Sequence, residues 1–445
     1  MKGQRRAALL VADQDGNIFE HPDLEMVGQS GDSFEPVDTS ELTLVPEGTK
    51  LFYLPGSMAV GWNPKERQLE VEPELRAVTA MLQAGYTRSH LPAADYPEGP
   101  PEYGGHEYLP LWAYAAVGWL DGDVVASAFR VDPMTHSETC HYDDREIAPR
   151  VKAKVDSNPG NRLIKHLSRC ALEYHCFAAK NFFMERWEAP LPTATSCNAR
   201  CVGCISLQPA DCCPAAQERI TFVPTVEELC GVAVGHLERV ERAIVSFGQG
   251  CEGEPLLQSE TIAAAVSAFR RETEKGTIHL NTNGSLPERL VEVARSGLDS
   301  VRISMNSPLE ATYNAYYRPK GYRHADVVES ISRAVDEGLV TTLNLLVFPG
   351  VTDLEGELEA LESLVAKTGL HMVHFRNLSI DPRMYLEALP ENFFEEGGAP
   401  IGMKAAAKRL KRRFPNLDIG YFNRPKETFG APLTTLEFLE RGALA

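Results

Sequence analysis

Residues 193–208 read TATSCNARCVGCISLQ and set Cys197, Cys201 and Cys204 in a C-x3-C-x2-C spacing on a polar Asn/Arg/Gly loop. Thiolates bind soft metals, and three this close are able to share one centre. Three readings compete. Incidental structural cysteines are hard to reconcile with such tight spacing on a polar loop. A structural zinc ion wants four ligands, usually as two close pairs, so it needs a distant fourth donor here. An iron–sulfur cubane has four irons, so three thiolates leave one iron for a ligand that is not protein. The third reading accounts best for the missing fourth cysteine.

Other chemistry-bearing residues sit where strands end. Gly253-Glu254-Pro255 follows the strand VSFG; a carboxylate beside backbone carbonyls suits an ammonium-like group, and glycine permits close approach. Taken alone, the same tripeptide reads as a surface turn. Asn283 lies in the strand end NTNG, ordinarily just a turn. Arg302, Ser304 and Asn306 alternate, so they share a face; this is either the ligand-facing side of a barrel strand or a solvated strand end. Asn344 is a single amide in the apolar run TTLNLLVF and must find a partner there, as a ligand contact or as a satisfied structural asparagine. His374 and Arg376 share a face, with Arg376 suited to a carboxylate or phosphate and His374 reading as structural. Cys212, Cys213, Cys230 and Cys251 lack the spacing of a second cluster.

From about residue 225 the elements that position these groups repeat one phrase: an apolar strand, a turn, an amphipathic helix, a glycine. The strands are RAIVSFG (242–248), TIHLNTNG (277–284), SVRISMNS (300–307), VTTLNLLVFPG (340–350) and LHMVHFRNL (370–378). Capping boxes are expected at Thr225/Glu228, Ser285/Glu288 and Thr352/Glu355, and left-handed stops at Gly276, Gly297, Gly338 and Gly369. With a further strand before Cys197 there are six β/α units, which implies parallel pairing through right-handed crossovers. A partial barrel and a doubly wound sheet both fit, and both gather ligands at the C-terminal strand ends. Residues 1–160 lack this period and read as a strand-containing module; 161–186 as an amphipathic linking helix; 187–425 as the core; 426–445 as a tail.

The formal net charge of −18 argues against a nucleic-acid partner held through phosphates. The basic run KAAAKRLKRRF (404–414) reads as a solvated helix face, with a docking patch for an acidic partner as the lesser reading. The apolar run AALLVA stops at Asp13 and WAYAAVGWL (112–120) is too short to span a bilayer, so a soluble, cytoplasmic protein is expected. In a reducing compartment the ten cysteines point to metal or redox chemistry rather than to a disulfide framework.

The three-cysteine loop at the start of a β/α series resembles the radical S-adenosylmethionine (radical SAM) superfamily, and the resemblance spans about residues 190–385. It implies an α/β fold, a partial (β/α)6 TIM-like barrel. It also implies a [4Fe–4S] cluster on Cys197, Cys201 and Cys204, and S-adenosyl-L-methionine chelated to the open iron. An electron from the reduced cluster then releases methionine and a 5′-deoxyadenosyl radical that abstracts hydrogen from substrate. By the same resemblance Gly253, Glu254 and Pro255 orient the methionine amino group. Asn283 lies on the cofactor side, Ser304 and Asn306 are ribose- and carboxylate-binding positions, and Asn344 is a ribose contact. Cys251 is placed to return a hydrogen atom to a substrate radical, or else is a small buried side chain. The family often has an aromatic residue immediately before the last cysteine; this chain has Gly203. Implied partners are a reductant such as a flavodoxin or ferredoxin and a small-molecule or peptide substrate. The segment after the barrel carries no cysteines, which lowers the peptide reading. The rival is a non-catalytic metal-binding or electron-transfer protein using the same thiols.

Overall fold

The structure is a computed structural model that describes residues 6–97, 99, 107–109, 111–135, 138, 141–208 and 215–440. Its core is a curled, all-parallel sheet. The strands, in chain order across the sheet, are Glu188–Pro190, Ile244–Phe247, Thr277–Thr282, Ser300–Met305, Val340–Val347, Met372–Asn377 and Asp418–Gly420. The first six are the strands expected from the sequence. The seventh, only three residues long and preceded by the basic helix, is too short to leave a hydrophobic pattern.

Strands of a parallel sheet covered on both faces normally read as unbroken apolar runs. Here only one face does. Ile278, Leu280, Val301, Ile303, Leu343, Leu345, Val373 and Phe375 alternate along their strands and are buried under the helices. The register puts His279 beside Ser300, Arg302 beside Thr342, Ser304 beside Asn344, and Asn344 beside His374, so the opposite face is polar. That face lines the concave side of the curl. Beyond the seventh strand, Asn423 Nδ2 donates to Glu188 Oε1 on the first strand at 2.9 Å and draws the two sheet edges together.

The helix signals hold in part. Thr225 and Glu228 form the expected capping box on Val226–Arg239. Ser285 and Thr352 do not cap: their helices begin later, at Pro287 and Glu355. Ser285 instead accepts from Asn198 at 2.8 Å, and Thr352 Oγ1 accepts from the Phe348 amide at 2.9 Å. A distant partner takes the Ser285 hydroxyl and the preceding turn takes that of Thr352. All four expected stop glycines have positive φ.

The linking segment is two helices, Arg162–Leu172 and Phe177–Phe183, broken by His175 at φ 52°, and it is preceded by a helix at Ile147–Asp156. Upstream lies a strand-rich region with an 11-stranded sheet and a three-stranded sheet, antiparallel throughout the pairs described. WAYAAVGWL contributes the strand Tyr114–Leu120, which turns through Asp121-Gly122, both at positive φ, into Asp123–Arg130. No helix among the described residues is long and apolar enough to cross a membrane.

This region is fastened to the core. Arg88, fully buried, donates to the carbonyls of Tyr114 (2.9 Å) and Leu378 (2.8 Å), and burial lowers its pKa to about 10. Thr87 Oγ1 donates to the Phe375 carbonyl, and Asn377 Nδ2 donates to that of Tyr86. The basic run, helix Met403–Arg413, is fully exposed only at Arg412 and Arg413, and Lys404, Arg409 and Lys411 are engaged. Lys404 donates to the Ser40 carbonyl, Lys411 to that of Leu417, and Arg409 pairs with Glu355 and Glu362. Its acidic partners belong to its own chain.

Candidate active site at the strand ends

Cys197, Cys201 and Cys204 lie on the loop after the first strand, at the C-terminal end of the sheet, as expected for its ligand-binding end. The loop is held by backbone bonds. The Arg200 and Val202 amides donate to the carbonyls of Tyr317 and Tyr316, at 3.0 and 2.9 Å. Burial, and the mutual charge of Cys197 and Cys204, push Cys201 well above the usual thiol range. Burial, then the Glu254 carboxylate, push Cys197 up to about 11. Thiolates on such a buried loop need a cationic centre to stabilise their charge, and three cysteines on one short loop are the donor set an iron–sulfur cluster uses. Arg219, which the sequence reading did not single out, donates to Ser206 Oγ at 3.2 Å and reaches within 3.7 Å of Cys204 Sγ.

The Gly-Glu-Pro segment packs directly on this loop. The amides of Gly253 and Glu254 donate to the carbonyls of Ala194 (2.7 Å) and Ser196 (2.9 Å). The Glu254 carboxylate is buried and accepts from Leu256 N, Asn283 N and Thr282 Oγ1. Desolvation outweighs those bonds and raises it to about 7. Pro255 opens the short helical turn that follows.

Asn283 ties the third strand end to the same loop, donating to Asn198 Oδ1 at 2.9 Å and accepting from the Ser285 amide. Ser304 and Asn344 meet as register neighbours, the Asn344 amide donating to Ser304 Oγ at 3.1 Å and leaving Asn344 Oδ1 buried without a partner. Asn306 donates to the Thr312 carbonyl and the Tyr385 hydroxyl, and its Oδ1 is likewise without a partner. Cys251 is buried and turned toward Cys170 and His166 of the linking helix, within 4.8 Å of both. Cys230 is half-buried on helix Val226–Arg239; Cys212 and Cys213 lie outside the described residues.

Two features had little sequence signal. Glu252 is a buried carboxylate that accepts from four backbone amides, Thr193, Ala194, Gly248 and Gln249, all at 2.7–2.9 Å. It laces the first strand end to the second. At Gly203, a Cβ would meet the Tyr316 hydroxyl at 2.9 Å and Ile380 Cδ1 at 3.2 Å, so the room for an aromatic side chain is already filled from other elements. Tyr316 comes from the helix Glu310–Tyr317 after the fourth strand, whose run TYNAYY was the available signal.

Deeper in the curl lie Arg302, His279, His374, Arg376 and Glu188. Burial, then Arg302 and Arg376, hold His374 far below the usual imidazole range. Burial, then Arg376, lower Arg302 to about 9, and Arg302 Nε has no hydrogen-bond partner. Arg376 donates to the Tyr421 carbonyl and lies 4.3 Å from that ring's centroid.

A curled parallel sheet with a three-thiol loop and a buried acid at its C-terminal end defines an α/β architecture that gathers its ligands there. Residues 191–361 match the family model described as Radical SAM superfamily. No curated protein matches the chain. Among solved structures it is similar to hexahistidine-tagged anSMEcpe with bound AdoMet (15% identity, 43% of this chain and 50% of that chain, TM-score 0.35). It is also similar to the FeFe-hydrogenase maturase HydG from Carboxydothermus hydrogenoformans (13% identity, 62% and 76%, TM-score 0.34). A third is Streptococcus suis SuiB bound to precursor peptide SuiA (12% identity, 58% and 52%, TM-score 0.36). The chain thus spans half the length of the anSMEcpe chain it matches.

Proposed function

We propose that the protein is a radical SAM enzyme that abstracts hydrogen from an anionic small molecule or peptide bound in the polar curl of the sheet. The observation that carries the reading is the placement of Cys197, Cys201 and Cys204 at the C-terminal strand ends, against the buried Glu254. These cysteines would hold a [4Fe–4S] cluster, and Gly253, Glu254, Pro255, Asn283, Ser304, Asn306 and Asn344 would surround S-adenosylmethionine. When bound and reduced, that pair supplies a 5′-deoxyadenosyl radical.

The chain's own residues do the rest. Glu254 presents a carboxylate in a dry setting, where an ammonium partner draws its raised pKa back down. Asn283 and Asn198 keep the cysteine loop in register with the third strand. The free Oδ1 atoms of Asn344 and Asn306 are acceptors for a hydroxyl or an ammonium. Tyr316, Tyr317 and Tyr385 form an edge-packed aromatic group beside the cysteine loop that excludes water from it.

The substrate class follows from Arg302 and Arg376. Two guanidiniums held close in the curl, with neutral imidazoles beside them and Glu188 opposite, are relieved by an incoming carboxylate or phosphate. A reductant such as a flavodoxin or ferredoxin, and a reducing cytoplasmic setting for the free thiols, complete the proposal.

The test is anaerobic reconstitution with iron and sulfide, EPR of the reduced protein with and without S-adenosylmethionine, and an assay for 5′-deoxyadenosine. A signal shifted by S-adenosylmethionine, together with slow 5′-deoxyadenosine release, is expected. An unperturbed signal with no release identifies an electron carrier instead, and zinc without iron at these three cysteines overturns the reading outright.

A further inference from the structure

A second group of soft ligands lies apart from the cysteine loop. His166 and Cys170 are one turn apart on helix Arg162–Leu172 and so share a face; Cys251 reaches them from the loop after the second strand. Their Nε2 and two Sγ atoms all lie within 4.8 Å of one another, with His166 Nε2 and Cys170 Sγ at 3.5 Å. Among the described residues this is the one group of three or more His, Cys, Asp or Glu ligand atoms gathered so tightly.

We propose that His166, Cys170 and Cys251 bind a zinc ion that pins the linking helix to the loop carrying Glu252 and Glu254. A tetrahedral ion with Zn–S near 2.3 Å and Zn–N near 2.0 Å sets its ligands roughly 3.5–3.8 Å apart, which is the spacing found between the imidazole and its neighbouring thiol. A cubane spreads its cysteines much wider and has no use for so close a pair.

Charge favours the same ion. Cys170 and Cys251 are 1% and 4% exposed, in the apolar core, where two thiolates alone are costly. Two thiolates, one neutral imidazole and one divalent cation sum to zero. Cys176, at the start of the next helix, donates its amide to the Cys170 carbonyl at 2.9 Å and brings a third thiol nearby. The plain alternative is three small or half-polar side chains filling core space. It leaves unexplained why the helix and a loop some eighty positions away both direct soft donor atoms to one point.

The site also sets Cys251 apart from radical chemistry, since a zinc-bound thiolate carries no hydrogen atom to give. Its anchoring role is distinct. The Cys251 carbonyl accepts from the Ile220 amide at 2.8 Å, and Glu252 and Glu254 follow directly, so an ion here braces the segment that packs on the cysteine loop.

The experiment uses the full chain with Cys197, Cys201 and Cys204 all replaced by alanine, which removes the loop's own metal binding and separates this proposal from the preceding one. Zinc is counted by mass spectrometry after desalting, and Co2+ is titrated anaerobically into the zinc-stripped protein. Zinc retained stoichiometrically, and thiolate-to-cobalt charge-transfer bands with tetrahedral d–d absorption, are expected. Cys170→Ser and Cys251→Ser should each abolish both signals. The cobalt spectrum needs no change in the site itself, so a variant that fails to fold does not blunt the test. Absence of zinc and of the cobalt bands overturns the proposal. So does zinc indifferent to both serine variants, or a Cys170–Cys251 disulfide in protein kept reduced.

Discussion

Gly253 lies against the backbone carbonyl of Ser196, and a Cβ built on it would stand 1.9 Å from that oxygen. No side-chain movement relieves such a contact, because the obstructing atom is main chain. The residue before Cys197 and the glycine of the Gly-Glu-Pro segment are therefore in direct backbone contact.

Gly253→Ala should push the two loops apart. We expect iron incorporation on reconstitution, and with it 5′-deoxyadenosine formation, to fall far below wild type, while far-UV circular dichroism is unchanged. Wild-type iron content in the alanine variant would show that the contact is not needed to shape the loop.

Glu252 joins the same loops from beneath through four amide donors. Glu252→Gln keeps the shape but replaces one accepting oxygen with an NH2 that faces donors, leaving buried amides unpaired. The cost should be about 3 kcal/mol, read as a lower urea midpoint. A midpoint equal to wild type would mean that this carboxylate is bonded in the folded state no better than an amide.

His236 is buried on helix Val226–Arg239, and desolvation lowers it to about 4 from an ordinary value near 6.5. The sign follows from linkage. The folded state prefers the neutral ring, so this contribution is fully present above pH 6.5 and is lost as pH falls toward 4. At about 1.4 kcal/mol per unit, the loss reaches roughly 3 kcal/mol. Urea unfolding of wild type and His236→Phe at about pH 7 and about pH 4.5 checks it: the phenylalanine variant should lose less stability on acidification. Equal losses would place the acid sensitivity in other groups.

Arg302 should report on the proposed anion site. Millimolar inorganic phosphate or succinate is expected to raise the thermal midpoint of the wild-type protein, and Arg302→Met should remove that shift. Stabilisation that survives in the variant would move the anion to another part of the surface.

The β/α core was legible because its signals are local. Alternation, strand length and stop glycines are written within a dozen residues, and the three thiols sit within eight positions. Partnerships were not legible. Ser285 looks like a helix cap until Asn198, 87 residues away, claims its hydroxyl. The basic run 404–414 looks solvated until Glu355, Glu362 and the Ser40 carbonyl are brought beside it. Glu252 gives no hint of four amide bonds, since the donors are main chain and no side-chain pattern encodes them. His166, Cys170 and Cys251 meet only once the linking helix docks on the sheet. The seventh strand was missed because three residues cannot show a period.

The Arg88 guanidinium finds part of its bonding at Leu378, 290 residues further along. Ribosomes add about 5–20 residues per second, so the amino-terminal region emerges roughly 15–60 s before that carbonyl exists. Through that interval a cation destined for the interior has to stay hydrated. The nascent chain therefore completes its first-made region last, and a truncated translation product ending before the sixth strand is left with a charge it is unable to bury.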